Sequence, residues 1–512
     1  DYLMRLPPSL NPYDVGPYTY GGLPLYLYLF SARGLSWLFR DPVWLDKWHV
    51  TLIARGYSAV ASTLIIALLY RLSCLVGLGP VAWVPALAFA VSPLAVQYAH
   101  YGVVDTLLTF WVVLFSVTTA LCWKRGTRWG WVVPGFFLGW AIATKTTGAV
   151  WGLSFLYIAW EQWKRERSLF RGLSVLGLGI VGAGMGIISG SPYYILDWPS
   201  FRQVMAMQAA KTVTGQILCT YHWQFLNVRP FLFEVEQLAR WAIGLPLAIL
   251  GGIGVVGLWA EVIGRRKSWV GAILLAPTTY FIIIGLWHSK FIRYLLPAIP
   301  FISLCTAWPL NEAFQRGSPF LRQVSLLIMV GALLYSTLLG IAVANIYAGP
   351  DPRIAASEWI LTHIPSGTPI LHDPEPLITL PLGAAERYQV TVFDLYGNRM
   401  QNINNPEFYL RVLRYKEYII IVSRRNYGAV YHLRGLFPVA ASFYESVFDG
   451  CLGYSMVARF TNYPHIGPWI WNTDQAEETF QVFDHPVVYI FKRSTALDQE
   501  SLRRNWEQCL SR

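Results

Sequence analysis

A chain of 512 residues that is 54% hydrophobic and only 13% charged, with a mean hydropathy of +0.40, carries more apolar surface than one soluble core can hide. It reads as a polytopic membrane protein. A net charge of +11 would suit nucleic acid, but the basic residues sit in short loops between apolar spans, where they act as topology signals instead.

The chain opens on Asp1 with no visible signal peptide or first anchor, so its start is expected to be processed or truncated. Residues 1–47 are polar to amphipathic, and Pro7-Pro8, Asn11-Pro12 and Gly16-Pro17 break any helix there. Residues 22–39 have the composition of an amphipathic helix lying on the membrane surface. Apolar spans follow at about 51–76, 81–97, 104–123, 129–145, 147–163, 171–190, 238–262, 268–287, 291–310 and 323–347. That predicts ten helices in a membrane domain over 48–348, with an eleventh expected before residue 1. From 349 to 512 the pattern gives way to that of an α/β domain. Tyr418–Val422 and Val487–Phe491 read as strands and Ala355–Ile364 as a helix. Six cysteines (Cys74, Cys122, Cys219, Cys305, Cys451, Cys509) lack CxxC or CxxH spacing, so neither a disulfide framework nor a zinc site is indicated.

Lys and Arg orient the spans. One set of loops carries Lys124, Arg125 and Arg128, then Lys164, Arg165, Arg167 and Arg171, then Arg265, Arg266 and Lys267, then Arg316 and Arg322. The positive-inside rule makes these loops cytoplasmic. Residues 1–47, the turn Tyr98-Ala-His-Tyr-Gly-Val-Val-Asp105, Lys145, segment 191–237, the His288–Arg293 loop and the C-terminal domain then lie outside.

Ionisable residues gather on that outer face. Asp105 opens an apolar span, where an ionised group is costly unless it meets water, a cation or a substrate. It also suits a simple helix N-cap. Lys145, His288, Lys290 and Arg293 lie at the same level, and acids and bases converging at one membrane face suggest a site for an anionic head group. Lys145 and Arg293-Tyr294 also fit ordinary interface anchoring.

Several stretches resemble the phospholipid-carrier-dependent branch of the GT-C glycosyltransferases, akin to protein O-mannosyltransferases and aminoarabinose transferases. They are Tyr20-Gly-Gly-Leu-Pro-Leu-Tyr26, Ala54-Arg-Gly-Tyr-Ser58, Ser92-Pro93 followed by Asp105-Thr-Leu-Leu-Thr109, Ala143-Thr-Lys145, Arg293-Tyr-Leu-Leu-Pro297 and Thr479-Phe-Gln-Val-Phe-Asp-His-Pro486. The resemblance implies a polytopic helical membrane fold with an extracytoplasmic α/β domain. It further implies transfer of a sugar from a polyprenyl-phosphate carrier to a protein, lipid or glycan acceptor at the outer face of the cytoplasmic membrane, with no nucleotide sugar, cofactor or metal and no nucleic-acid partner.

The family's usual base is an Asp, often Asp-Glu, in the first outer loop. Residues 1–47 hold no Asp-Glu pair, which leaves Asp1 and Asp14 as the acids before Asp41. The resemblance implies that Asp1, Asp14 or Asp105 takes the catalytic carboxylate role. Arg55, His100, Lys145, His288, Lys290, Arg293 and Tyr294 are the candidate substrate-binding residues. One displacement inverts the anomeric centre and needs a single base, unlike the two-carboxylate hydrolases. The alternative is a non-catalytic glycosyltransferase-like subunit that scaffolds or binds carbohydrate. A transporter fits the number of spans but not the lack of an inverted repeat.

Overall fold

A computed structural model describes residues 10–16, 18–127, 129–217, 220–264, 266–373, 387–393, 402–494 and 499–510. Two compact units emerge. The first comprises Asp1–Val213 with Pro230–Ile341, and the second Thr214–Arg229 with Ala342–Arg512.

The first unit is helical. Its principal helices are α1 (Gly22–Phe39), α2 (Lys47–Val76), α3 (Trp83–Ala90), α4 (Pro93–Ala99), α5 (Val104–Arg125), α6 (Val132–Thr144), α7 (Leu153–Glu166), α8 (Leu169–Gly190), α9 (Leu245–Ile263), α10 (Gly271–Leu286), α11 (Ile299–Thr306) and α12 (Pro319–Asn345). Six helical runs among the described residues are long and apolar enough to cross a membrane, and a seventh counts if the bent pair 79–90 and 93–99 is one span. Every apolar segment expected from the sequence is helical at its core, but several are interrupted. The 147–163 segment opens in a 3₁₀ stretch, Thr146–Gly152, which leaves α7 only fourteen residues. The 291–310 segment likewise opens in a 3₁₀ turn, Ile292–Ala298, holding Pro297. A proline inside a helix lacks a donor and clashes with the preceding turn, so hydropathy alone overstates such spans.

Local chemistry sets the breaks. Between α3 and α4 the chain bends by 59°, where the Ser92 hydroxyl accepts from Ala95 N and Pro93 takes the first helical position. Asp46 caps α2 by accepting from His49 N at 2.8 Å. Helices α6 and α8 meet along a glycine seam. A Cβ on Gly135 would lie 2.3 Å from the Gly179 carbonyl oxygen, and one on Gly182 2.1 Å from that of Val132. Only glycine allows backbones that close, and in lipid such packing takes over from hydrophobic burial as the force joining helices.

The second unit is α/β. Its strands are β1 (Pro369–Asp373), β2 (Gln389–Val392), β3 (Tyr418–Ile421), β4 (Tyr454–Phe460), β5 (His465–Ile466), β6 (Trp469–Ile470) and β7 (Val488–Arg493). A five-stranded sheet runs β2-β1-β3-β7-β4; β1 is parallel to β2 and β3, and β7 is antiparallel to β3 and β4. All four residues of β3 are buried, as an apolar run covered on both faces should be. Ile419 and Ile421 enter a core with Tyr409, Phe443 and Trp506 on one side. Tyr418 and Ile420 join Ile360, Val488 and Ile490 on the other.

The expectation that the cysteines form no disulfide is corrected here. Cys451 and Cys509 are bonded across 58 positions, with their Cα atoms 6.3 Å apart. Short-range spacing does not register a pairing that distant; packing of the C-terminal helix Gln499–Leu510 within this unit creates it. The Thr479–Pro486 stretch is also internal to the unit. The His485 ring bonds Asp484 on one side and Thr473 Oγ1 at 2.9 Å on the other, and Tyr347 donates to Asp484 at 2.8 Å.

Candidate active site

The site forms where the first loop, the start of α5, the end of α6 and the 3₁₀ turn before α11 meet. Gly21 is the hinge of this arrangement. Its N–H donates to the Thr144 carbonyl at 3.0 Å, and a Cβ there would come within 1.7 Å of the Ala143 carbonyl oxygen. A glycine therefore lets the loop press against the last turn of α6. The neighbouring Tyr20 ring then lies 6.0 Å from Lys145 Nζ.

Lys145 ends α6 in an extended conformation. Its ammonium donates to Asp105 Oδ1 at 2.8 Å, with the carboxylate side chain only 2% exposed and the lysine 11%. It also sits 4.7 Å from the centre of the Tyr294 ring. Asp105 lies in the first turn of α5, but the N-cap is Val103, which makes no side-chain cap bond. The carboxylate thus serves the lysine rather than the helix end, and the N-cap reading is set aside.

Arg293 comes from the 3₁₀ turn. Its guanidinium lies over the Phe291 ring at 4.8 Å and the Tyr294 ring at 5.7 Å. Its Nε is buried with no hydrogen-bond partner among the described residues. A cavity of about 310 Å³ opens beside these groups, walled by Tyr18, Tyr20, Lys47, Gly102, Asp105 and Arg293 among others. Asp105 and Lys145 neutralise each other, so Arg293 and Lys47 leave the cavity attractive to an anion.

The remaining candidates have other surroundings. Arg55 is exposed on α2 and absent from the cavity wall. His100 is exposed, its Nδ1 2.8 Å from the Val96 carbonyl oxygen. Lys290 is buried and donates to Glu234 Oε1 at 2.8 Å and the Gly285 carbonyl at 2.6 Å. His288 is half-buried, and its backbone N–H donates to Val213 O at 3.0 Å. Asp14 is exposed in the first loop and accepts at 3.0 Å from the Asn11 amide, which also donates to Asp197 at 2.9 Å. Asp1 lies outside the described residues. Tyr18 and Lys47 escaped the sequence reading. Lys47 had one signal, a cation in the first turn of a helix, where the macrodipole disfavours it. Among the described residues no group of three or more His, Cys, Asp or Glu side chains could hold a metal ion.

Residues 48–183, which contain Asp105 and Lys145, match the family described as dolichyl-phosphate-mannose-protein mannosyltransferase. Two structures of the Archaeoglobus fulgidus oligosaccharyltransferase, apo and tethered with an acceptor peptide containing the NVT sequon, each match with a TM-score of 0.53. Identity is 14% over 93% of this chain and 81% of that one. The chain has a GT-C-like fold. A further match is ArnT from Cupriavidus metallidurans bound to undecaprenyl phosphate, with a TM-score of 0.46 and 13% identity over 92% of this chain and 88% of that one. No curated protein sequence matches. Within the GT-C-like fold of this chain, the cavity draws its two cations, neither in an ion pair among the described residues, from segments far apart in sequence: Lys47 heads α2 and Arg293 precedes α11.

Proposed function

We propose that this chain transfers a sugar from a polyprenyl-phosphate carrier to an acceptor at the outer face of the cytoplasmic membrane. The observation that carries the reading is the buried Lys145–Asp105 pair beside a cavity that also holds Arg293, whose Nε lacks a partner among the described residues. Leaving an arginine nitrogen buried without an acceptor costs free energy, and a bound phosphate oxygen supplies that acceptor. The match of residues 48–183 to a dolichyl-phosphate-mannose-protein mannosyltransferase family supports the same class of donor.

In the proposed reaction the acceptor oxygen attacks the anomeric carbon and the bond from that carbon to the carrier's phosphate oxygen breaks. The phosphate leaves with an added negative charge, which Arg293 and Lys145 stabilise. The acceptor's proton passes to a first-loop carboxylate, Asp14 or Asp1. Asp105 holds the Lys145 ammonium toward the phosphate and is a positioning residue. A single displacement inverts the anomeric centre.

The Cys451–Cys509 disulfide supports an extracytoplasmic place for the C-terminal unit, since such bonds persist in oxidising compartments. The basic loops at Lys124, Lys164 and Arg266 support the complementary assignment to the cytoplasm.

The test is transfer from a panel of polyprenyl-phosphate-linked sugars by the full chain in proteoliposomes. Activity that disappears in Lys145→Ala and in at least one of Asp14→Asn and Asp1→Asn, and that Arg293→Ala weakens through a raised KM for the carrier, is the expected result. Carrier binding without transfer across the whole panel would instead favour a non-catalytic subunit.

A further inference from the structure

Helix α5 carries Asp105 in its first turn and Lys124 and Arg125 in its last. At about 1.5 Å per residue its length is roughly 33 Å, the thickness of a bilayer's hydrocarbon core. The far end of α5 opens onto a second cavity, of about 320 Å³, formed with Trp131 ahead of α6, the end of α7, the start of α8 and Trp269 ahead of α10. Four of its lining residues are cations (Lys124, Arg125, Arg165 and Arg171) and one is a carboxylate, Glu166, so three formal positive charges remain. Glu166 is taken by Arg171 at 3.2 Å. The cavity wall shapes the others. Arg165 lies over the Trp123 ring at 5.8 Å and Lys124 over the Trp269 ring at 5.9 Å. Gly126, at φ 64°, ends α5 in the left-handed conformation and lets the chain turn back toward α6.

A topology signal needs only charge in a loop; it does not need the charges to converge on a concave space. The same face offers a contrast. Arg316 is satisfied by Glu312 at 2.8 Å, and Arg322 donates to the Gly317 carbonyl at 3.2 Å. Lys124, Arg125 and Arg165 have no such ion pair among the described residues. We propose that the cavity binds a phosphate-bearing anion at the membrane face opposite the Asp105 site, drawn from the head group of an anionic phospholipid. Leu169, Phe170 and Leu173 on α8 are all exposed beside Arg171, which provides apolar surface for the acyl chains of a lipid entering sideways. Basic pockets between membrane helices on the cytoplasmic side recognise head groups in this way. The proposal stands apart from the transfer reaction, since its readout is lipid retention and not turnover.

The experiment uses the full chain in mixed-lipid nanodiscs, with native mass spectrometry of the protein released from them. Phosphatidylglycerol is expected to be retained over phosphatidylcholine. The triple variant Lys124→Gln/Arg125→Gln/Arg165→Gln should bind phosphatidylglycerol about a hundredfold more weakly. Ser174→Phe, which fills the cavity and keeps every charge, should lose retention too, and it separates the site from any effect on membrane insertion. Arg266→Gln/Arg316→Gln/Arg322→Gln removes the same charge outside the cavity and should retain lipid normally. Thermal stabilisation of the detergent-solubilised protein by inorganic phosphate, abolished by the first triple variant, would support the same site with a free anion as a second source. Equal retention of both lipids by the unaltered protein, retention undiminished in Ser174→Phe, or equal losses in the two triple variants would overturn the proposal.

Discussion

Lys145 and Asp105 meet at 2.8 Å across forty steps of sequence, the lysine at the end of α6 and the carboxylate in the first turn of α5. The pair ties two membrane helices together at the level of the cavity. Removing one partner of a buried pair strands the other, at a cost of about 3–5 kcal/mol, whereas removing both costs less. Asp105→Asn and Lys145→Gln should therefore each lower the thermal stability of the detergent-solubilised protein markedly. The double variant should recover at least about 1 kcal/mol of the summed loss. Strictly additive losses would show that the contact carries no coupling.

Arg293 differs from Lys145 in making no ion pair among the described residues; its guanidinium lies over the faces of Phe291 and Tyr294. Arg293→Ala should leave the melting temperature within a few degrees while raising the KM for the carrier at least tenfold. Arg293→Lys should rescue only in part, because an ammonium lacks the forked donor geometry that grips two phosphate oxygens. Steady-state kinetics with a polyprenyl-phosphate sugar checks both, and a full rescue by lysine would point to charge alone.

Gly21 gives a prediction rooted in packing. A methyl group there collides with the Ala143 carbonyl oxygen, whereas a methyl group at Gly34, on the neighbouring helix α1, would meet nothing within 4 Å. Gly21→Ala should push Tyr20 away from Lys145 and cut transfer, while Gly34→Ala should be close to neutral or slightly stabilising on helix propensity. Comparable activity in the two variants would mean that the loop does not need its tight seat on α6.

His372, in β1, is buried, and burial pushes its pKa down from 6.5 to about 4. The unfolded chain takes up a proton below about 6.5 and the folded one resists until about 4, so stability falls as pH drops through that window and is unaffected above it. The contribution at the acid end approaches about 3 kcal/mol, at roughly 1.36 kcal/mol per unit. Thermal melts of the full chain between pH 7 and pH 4 should therefore be flatter for His372→Leu than for the unaltered protein. Identical slopes would place the acid sensitivity elsewhere.

The sequence by itself determined the membrane class and the position of every apolar segment, because hydropathy and the two periodicities are local properties. It also singled out Asp105, Lys145 and Arg293, since a charge beside an apolar span is conspicuous without any knowledge of its neighbours. Only the tertiary structure decided which of these charges meet. Lys290 drew the same attention as Lys145, yet it is sealed against Glu234 from another segment, and no one-dimensional pattern reveals that choice. The bond between Cys451 and Cys509 and the seat of Tyr20 on the end of α6 were decided the same way. Each depends on distances between residues far apart in the chain, and these are settled by backbone packing, above all at glycines that let two segments touch.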